Sequence, residues 1–101
     1  MKYNVLSPVV NKRKKTIEFH INNSCANQIE LTGSFNNWAK NQLMLRRKEG
    51  GYWSIEIPMP PNGRYHYKFY IDGTMPMEDI ENPMREPDGI NGWNSVLLLG
   101  D

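Results

Sequence analysis

The segment Gly33-Ser34-Phe35-Asn36-Asn37-Trp38 ends an apolar-alternating strand by lifting an indole onto a polar loop, and Tyr67-Lys68-Phe69 and Asp72-Gly73 follow downstream. An indole set among amide and ammonium groups suits a pyranose ring, whose C–H face stacks on an aromatic plane while its hydroxyl edge needs donors and acceptors. That chemistry is recognition of a sugar. The residue types that would support turnover are poorly arranged. His20 and His66 fall on different strands without a second ligand at metal spacing, and Cys25 is the sole cysteine. Ser34 lies in Gly-Ser-Phe and lacks the second glycine of a nucleophile elbow. Glycoside hydrolysis needs two carboxylates across a cleft; Asp72, Glu78, Asp79, Glu81 and Asp88 are the candidates, and they read instead as turn chemistry and solvated loop. No catalytic residue, metal or cofactor is assigned, and the chain reads as a non-enzyme.

Length and charge narrow the classes further. A chain of 101 residues makes one domain that can fold without disulfides or structural metals. With 12 basic and 11 acidic residues the net charge is +1, so no long-range field favours nucleic acid or an anionic membrane. The cluster Lys12-Arg13-Lys14-Lys15 reads as a solvated terminus. No apolar run approaches the roughly 20 residues of a membrane span, and Met1 to Leu6 lacks the apolar core of a secretory signal. A lone cysteine fits a reducing compartment, and the cytoplasm is the expectation.

The elements that must position these residues are strands. Residues 1–15 read as an N-terminal arm with room for an edge strand at Val9 and Val10, and residues 16–101 as a single sandwich domain. Ile17, Phe19 and Ile21 alternate with Glu18 and His20, as Trp53, Ile55 and Ile57 do with Ser54 and Glu56. Gln28 to Thr32 repeats the pattern, with Gly33 permitting a bend and Phe35 returning to the core. Leu43 to Arg47 is a further short strand. Tyr65, Tyr67, Phe69 and Ile71 share one face of the clearest strand, which puts Lys68 and Tyr70 on the other. Asp72-Gly73 is the dipeptide of a type I′ hairpin turn, with Thr74 to Met77 as the return strand. A long polar connection from Glu78 to Gly92 leads to Ser95-Val96-Leu97-Leu98-Leu99, whose continuous apolarity predicts a strand buried on both faces. About seven short strands and no helical period predict an all-β, immunoglobulin-like antiparallel β-sandwich. Of the tryptophans, Trp53 falls on a core register, Trp38 stands between core and exposed platform, and Trp93 is assigned to neither.

Taken together, Gly33 to Trp38, Gly63 through Tyr67-Lys68-Phe69-Tyr70-Ile71-Asp72-Gly73, Asn82-Pro83 and Asn94-Ser95-Val96-Leu97 resemble carbohydrate-binding module family 48. That family includes the glycogen-binding domain of the AMP-activated kinase beta subunit and the N-terminal domains of isoamylases and glycogen-branching enzymes. The resemblance runs from about Thr16 to Leu99 and implies an early-set sandwich that binds α-1,4-glucan: glycogen, starch or maltooligosaccharides. It further implies that the domain targets an attached or partner enzyme, a glycoside hydrolase or a kinase, to polysaccharide. By the same resemblance Trp38 stacks on a glucose, Lys68 and Asn94 hydrogen-bond its hydroxyls, and the neighbouring loop residue falls near Ile90. Met75 is the departure, because binding members place a second tryptophan just after the Asp-Gly turn. Trp93 is the candidate to replace it, and the methionine thioether still offers a polarizable apolar surface. Met75 also motivates an alternative, a structural or regulatory protein-interaction sandwich that has lost or weakened sugar binding.

Overall fold

A computed structural model describes residues 7–100; Asp101 and the first six residues of the arm lie outside them. The described residues run through ten strands: β1 (Val9–Asn11), β2 (Thr16–Asn22), β3 (Ile29–Gly33), β4 (Leu43–Met44), β5 (Arg46–Arg47), β6 (Tyr52–Pro58), β7 (Gly63–Ile71), β8 (Met75–Met77), β9 (Arg85–Pro87) and β10 (Trp93–Leu99). One 3₁₀ turn, Ser34–Asn36, follows β3. The first sheet has the order β1-β2-β6-β5 and the second β4-β3-β7-β10-β9, with β8 added to β7; every pairing is antiparallel.

Period-2 alternation produces the core between the sheets. Ile17, Phe19 and Ile21 of β2 lie opposite Ile57, Ile55 and Trp53 of β6, and across the sandwich they meet Ile29 and Leu31 of β3, Tyr67 and Phe69 of β7, and Leu97 and Leu99 of β10. Phe19 packs edge-on to Tyr67 with ring centroids 4.9 Å apart, and Phe35 does return to pack against this cluster. Trp53 is buried, its indole N–H donating to Asn23 O at 2.8 Å. At the hairpin between β7 and β8, Asp72 and Gly73 have φ of 52° and 78°, the two positive values a type I′ turn requires. The Asp72 carboxylate also accepts the N–H groups of Asn27 and Gln28, at 2.7 and 3.0 Å, which ties this turn to the start of β3.

Four local expectations are corrected. The single strand at Leu43 to Arg47 is split: Leu43 and Met44 pair with β3, Arg46 and Arg47 with β6. Leu45 is buried at the crossing from one sheet to the other, its N–H on Ile29 O at 2.9 Å. The polar connection after Glu78 contains a strand, β9, too short and too polar to show a period. β10 is not buried on both faces: Val96 is covered by the chain at Asn82 and Met84, which bond its carbonyl and N–H, whereas Leu98 beyond that cover is 50% exposed. Gly33 has extended backbone, φ −168°, and is required by space instead of flexibility. A Cβ there would stand 2.5 Å from His66 O and 2.8 Å from Tyr67 Cβ.

Candidate functional site

Burial of Tyr67, Phe69 and Ile71 obliges Arg64, His66, Lys68 and Tyr70 to leave β7 on the outer face of the second sheet. Thr32 of β3 lies opposite Lys68, and Asn94 of β10 lies opposite Glu86 of β9. Since Tyr67 pairs with Ser95, the same register continued by one residue sets Asn94 beside Lys68. The row across the outer face is therefore Thr32, Lys68, Asn94, Glu86. On one edge of β7, β10 occupies Gly63 to Tyr67 and β8 occupies Phe69 to Ile71, which leaves Lys68 at the gap between them. A groove of about 420 Å³ opens there, lined by Lys68, Tyr70, Pro76, Asp88, Ile90 and Trp93 among others.

The loop after β3 folds back over this face. Asn36 Oδ1 accepts the Gly33 N–H at 3.1 Å and Gly33 O accepts the Trp38 N–H at 2.8 Å, while Asn37 and Trp38 both take left-handed φ of 57°. Asparagine tolerates that conformation; tryptophan adopts it only where the surrounding contacts hold it. Thr32 Oγ1 then donates to Ala39 O at 3.1 Å, the Asn41 N–H donates to Glu30 Oε2 at 2.6 Å, and Lys40 Nζ sits 3.3 Å from the centre of the Tyr70 ring. These contacts bury Glu30 and Thr32 although both point outward, and they hold the loop against the Thr32–Lys68 row. Trp38 is 39% exposed.

Lys68 is engaged. Its Nζ lies 2.6 Å from Asp88 Oδ2, with the two side chains only 14% and 12% exposed. The other carboxylate oxygen accepts the Ile90 and Gly92 N–H groups at 2.9 and 3.1 Å, and the Asp88 N–H returns to Gly92 O at 3.0 Å. The Lys68 hydrogen bond, followed by those two backbone donors, holds the Asp88 carboxyl well below the usual carboxylate range. The closed loop projects Ile90 into solvent, 87% exposed.

Behind this loop a buried polar cluster fixes the chain between β8 and β9. Asp79 accepts Ser7 Oγ at 2.5 Å, Tyr67 Oη at 2.8 Å and the Glu81 N–H at 3.1 Å, while its own N–H donates to Ser95 Oγ at 2.8 Å. Asn82 Nδ2 donates to Tyr67 Oη at 3.0 Å and to Val96 O at 2.9 Å. Burial pushes the Asp79 carboxyl up against those donors. Burial, then the Asp79 charge, drives the Tyr67 hydroxyl far above its ordinary value, so it stays a donor. Asp79 and Asp88 are thus not the solvated loop carboxylates that sequence suggests. The only sequence cue was their spacing from Tyr67 and Lys68, which means nothing until the strands are paired.

The residues singled out from sequence divide into two sets. Lys68, Ile90 and Trp93 line the groove, whereas Trp38, Asn94 and Met75 lie outside its lining. Asn94 is nonetheless Lys68's neighbour on the outer face. Met75 pairs with Ile71, on the alternate side from Tyr70 and Pro76, and is 58% exposed at the end of the sandwich. Trp93 leaves β10 on the side of Ser95, and the Arg85 guanidinium carbon lies 4.1 Å from its ring centre. Arg85 is in turn paired with Glu78 at 3.0 Å. His66 Nε2 contacts Glu86 Oε1 at 2.6 Å, and Arg64 closes on the same carboxylate. Among the described residues no three His, Cys, Asp or Glu side chains group as metal ligands.

Two antiparallel sheets form a β-sandwich with Lys68 and Asn94 neighbouring on one outer face beside a shallow groove, and with Trp38 half-exposed on the adjoining loop. The family described as the glycogen recognition site of AMP-activated protein kinase matches residues 16–97, and the chain belongs to it. The matched span contains Trp38, Lys68, Met75, Ile90, Trp93 and Asn94. The chain is 36% identical over 73 residues to Protein FLOURY ENDOSPERM 6, chloroplastic, of Oryza sativa subsp. japonica, a match covering 72% of the chain and 13% of that protein. It is 31% identical over 74 residues to Protein PTST homolog 2, chloroplastic, of Arabidopsis thaliana, covering 73% of the chain and 13% of that protein. Over 46 residues it is 41% identical to the 5'-AMP-activated protein kinase subunit beta-1 of Homo sapiens, covering 46% of the chain and 16% of that subunit. The chain therefore spans only a small part of the length of each of these curated relatives.

Proposed function

We propose that this domain is a non-catalytic α-glucan-binding module that targets an attached or partner enzyme to glycogen or starch. The observation that carries the reading is the adjacency of Lys68 and Asn94 on the outer face, next to the loop that leaves Trp38 partly exposed. Trp38 would stack on a glucose ring, with Lys68 and Asn94 bonding its hydroxyls; Ile90 and Trp93 add apolar surface across the groove, whereas Met75 stands outside it. A stacked ring contributes about 0.5–1.5 kcal/mol beyond its area burial, and each neutral hydrogen bond nets about 1 kcal/mol. Against the cost of association this supports a dissociation constant on the order of 0.1–1 mM for a short maltooligosaccharide. A branched polymer presents many equivalent chains, so avidity localises whatever is attached. Similarity to a kinase subunit supports a kinase as partner, with a glycoside hydrolase the other class. No helix among the described residues is long and apolar enough to cross a membrane, and two relatives are chloroplastic. The aqueous compartment read from sequence as cytoplasm is on this basis equally a plastid.

The test is titration with maltoheptaose while indole fluorescence is followed. Saturation below about 1 mM supports the reading, and no change at millimolar sugar rejects it. A Trp38→Ala chain that binds equally well moves the platform to Trp93. The second reading, a protein-interaction sandwich, is favoured by one observation, the exposed Met75, which stands outside the groove and supplies no second aromatic ring. Concentration-dependent pairing without any sugar response supports that alternative.

A further inference from the structure

We infer that Asp88 makes this site select uncharged glucan over glucan carrying phosphate esters, because it neutralises Lys68, the one cation among the described residues that lines the groove. The inference rests on the glucan-binding reading and names the ligand class more narrowly. Among the described residues three charged side chains line the groove, Lys68 against Glu78 and Asp88. Glu78 is matched by Arg85, which stands outside the lining. A free lysine in that position would draw in a phosphate; Lys68 instead has Asp88 at 2.6 Å, in a pair that water barely reaches.

The chemistry of the pair fits a hydroxyl and opposes a phosphate. An ammonium offers only donors and a carboxylate only acceptors, so together they satisfy a group that both gives and takes a hydrogen bond. A sugar hydroxyl is such a group. A phosphate ester at neutral pH can only accept, carries close to two negative charges, and must either sit against Asp88 or displace it from Lys68. Displacement has a structural consequence, since the same carboxylate holds the Ile90 and Gly92 N–H groups that close the loop. Asp88 needs no contact with the glucan backbone for this; it acts through Lys68 as a positioning and charge-setting residue.

The test compares maltoheptaose with a phosphorylated maltodextrin of similar length, titrated into the whole chain at about 20 and 500 mM salt, conditions that bracket weak and strong screening. Wild type is expected to bind maltoheptaose more tightly than the phosphorylated chain at both salt concentrations. Asp88→Asn keeps an oxygen for the two loop N–H groups but frees the lysine charge. It should shift preference toward the phosphorylated chain by about tenfold at low salt, the scale of one charge-assisted hydrogen bond, and lose that gain at high salt. Wild type preferring phosphorylated maltodextrin at low salt overturns the inference whether or not the variant folds. So does an Asp88→Asn ratio equal to wild type. Both results require that maltoheptaose binds; binding of neither sugar instead removes the glucan reading, and this inference with it.

Discussion

Replacing Tyr67 by Phe should destabilise the domain far more than the loss of one oxygen atom suggests. The ring would stay in place, edge-on to Phe19 and Phe69 at 4.9 and 6.1 Å, so the change isolates the hydroxyl. That hydroxyl donates to the buried Asp79 carboxylate at 2.8 Å and accepts from Asn82 at 3.0 Å. A hydrogen bond to a charged group contributes about 1.5–3 kcal/mol and a neutral one about 1 kcal/mol. Asp79 would keep Ser7 and the Glu81 N–H, and Asn82 would keep Val96 O, so neither group is fully orphaned. The expected loss is about 2.5–4 kcal/mol, or a fall in melting temperature of about 10–30 °C for a domain of this size. Urea unfolding followed by tryptophan fluorescence reads it. Tyr65→Phe is the control, because Tyr65 Oη donates to Pro61 O at an exposed position and its loss should cost under about 1 kcal/mol. If Tyr67→Phe is no more destabilising than Tyr65→Phe, the buried cluster does not hold the chain between β8 and β9.

The same cluster sets a pH dependence. Asp79 has a folded pKa raised above its unfolded value, so the folded chain retains a proton that the unfolded chain releases, and its contribution to stability falls as pH rises above about 4. Asp88, lowered, contributes stability that is present above about pH 4 and lost as acid protonates it. Melting wild type and Asp79→Asn across that range should show wild type losing ground to the variant with rising pH; a difference that is constant, or of opposite slope, contradicts the burial assigned to Asp79. Gly33→Ala would force a methyl onto His66 O and Tyr67 Cβ, at a cost of about 1–3 kcal/mol in chemical denaturation; a neutral result would mean that β3 and β7 can separate at that point. Asn94→Ala should weaken maltoheptaose binding by about five- to tenfold with little change in melting temperature; full retention of affinity takes Asn94 out of the site.

Alternation made the fold class readable, since Ile17-Phe19-Ile21 and Tyr65-Tyr67-Phe69-Ile71 each commit a strand to one buried face. Where a strand is two or three residues long that signal vanishes. The crossing at Leu45 and the strand Arg85–Pro87 were both hidden for this reason. The candidate site is a harder case, because its geometry is non-local. Lys68 and Asn94 are neighbours only through the register of β7 with β10, and Asp88 meets Lys68 only because β8 and β10 leave a gap on one edge of β7. A carboxylate in a polar, glycine-bearing segment looks the same in sequence whether it caps a turn, as Asp72 does, neutralises a lysine, as Asp88 does, or is sealed in the interior, as Asp79 is. Residue type alone does not separate these cases; the partner across the sheet does.

Amide and indole chemical shifts of the whole chain, followed as maltoheptaose is added, bear most directly on glucan recognition at the Lys68–Asn94 face. Saturable shifts at the Trp38 indole, Lys68, Asn94 and the loop at Ile90, with a common dissociation constant of about 0.1–1 mM, are the predicted result. No shifts at sugar concentrations up to about 10 mM, or shifts confined to the opposite sheet around Glu18, Arg46 and Ser54, would contradict it.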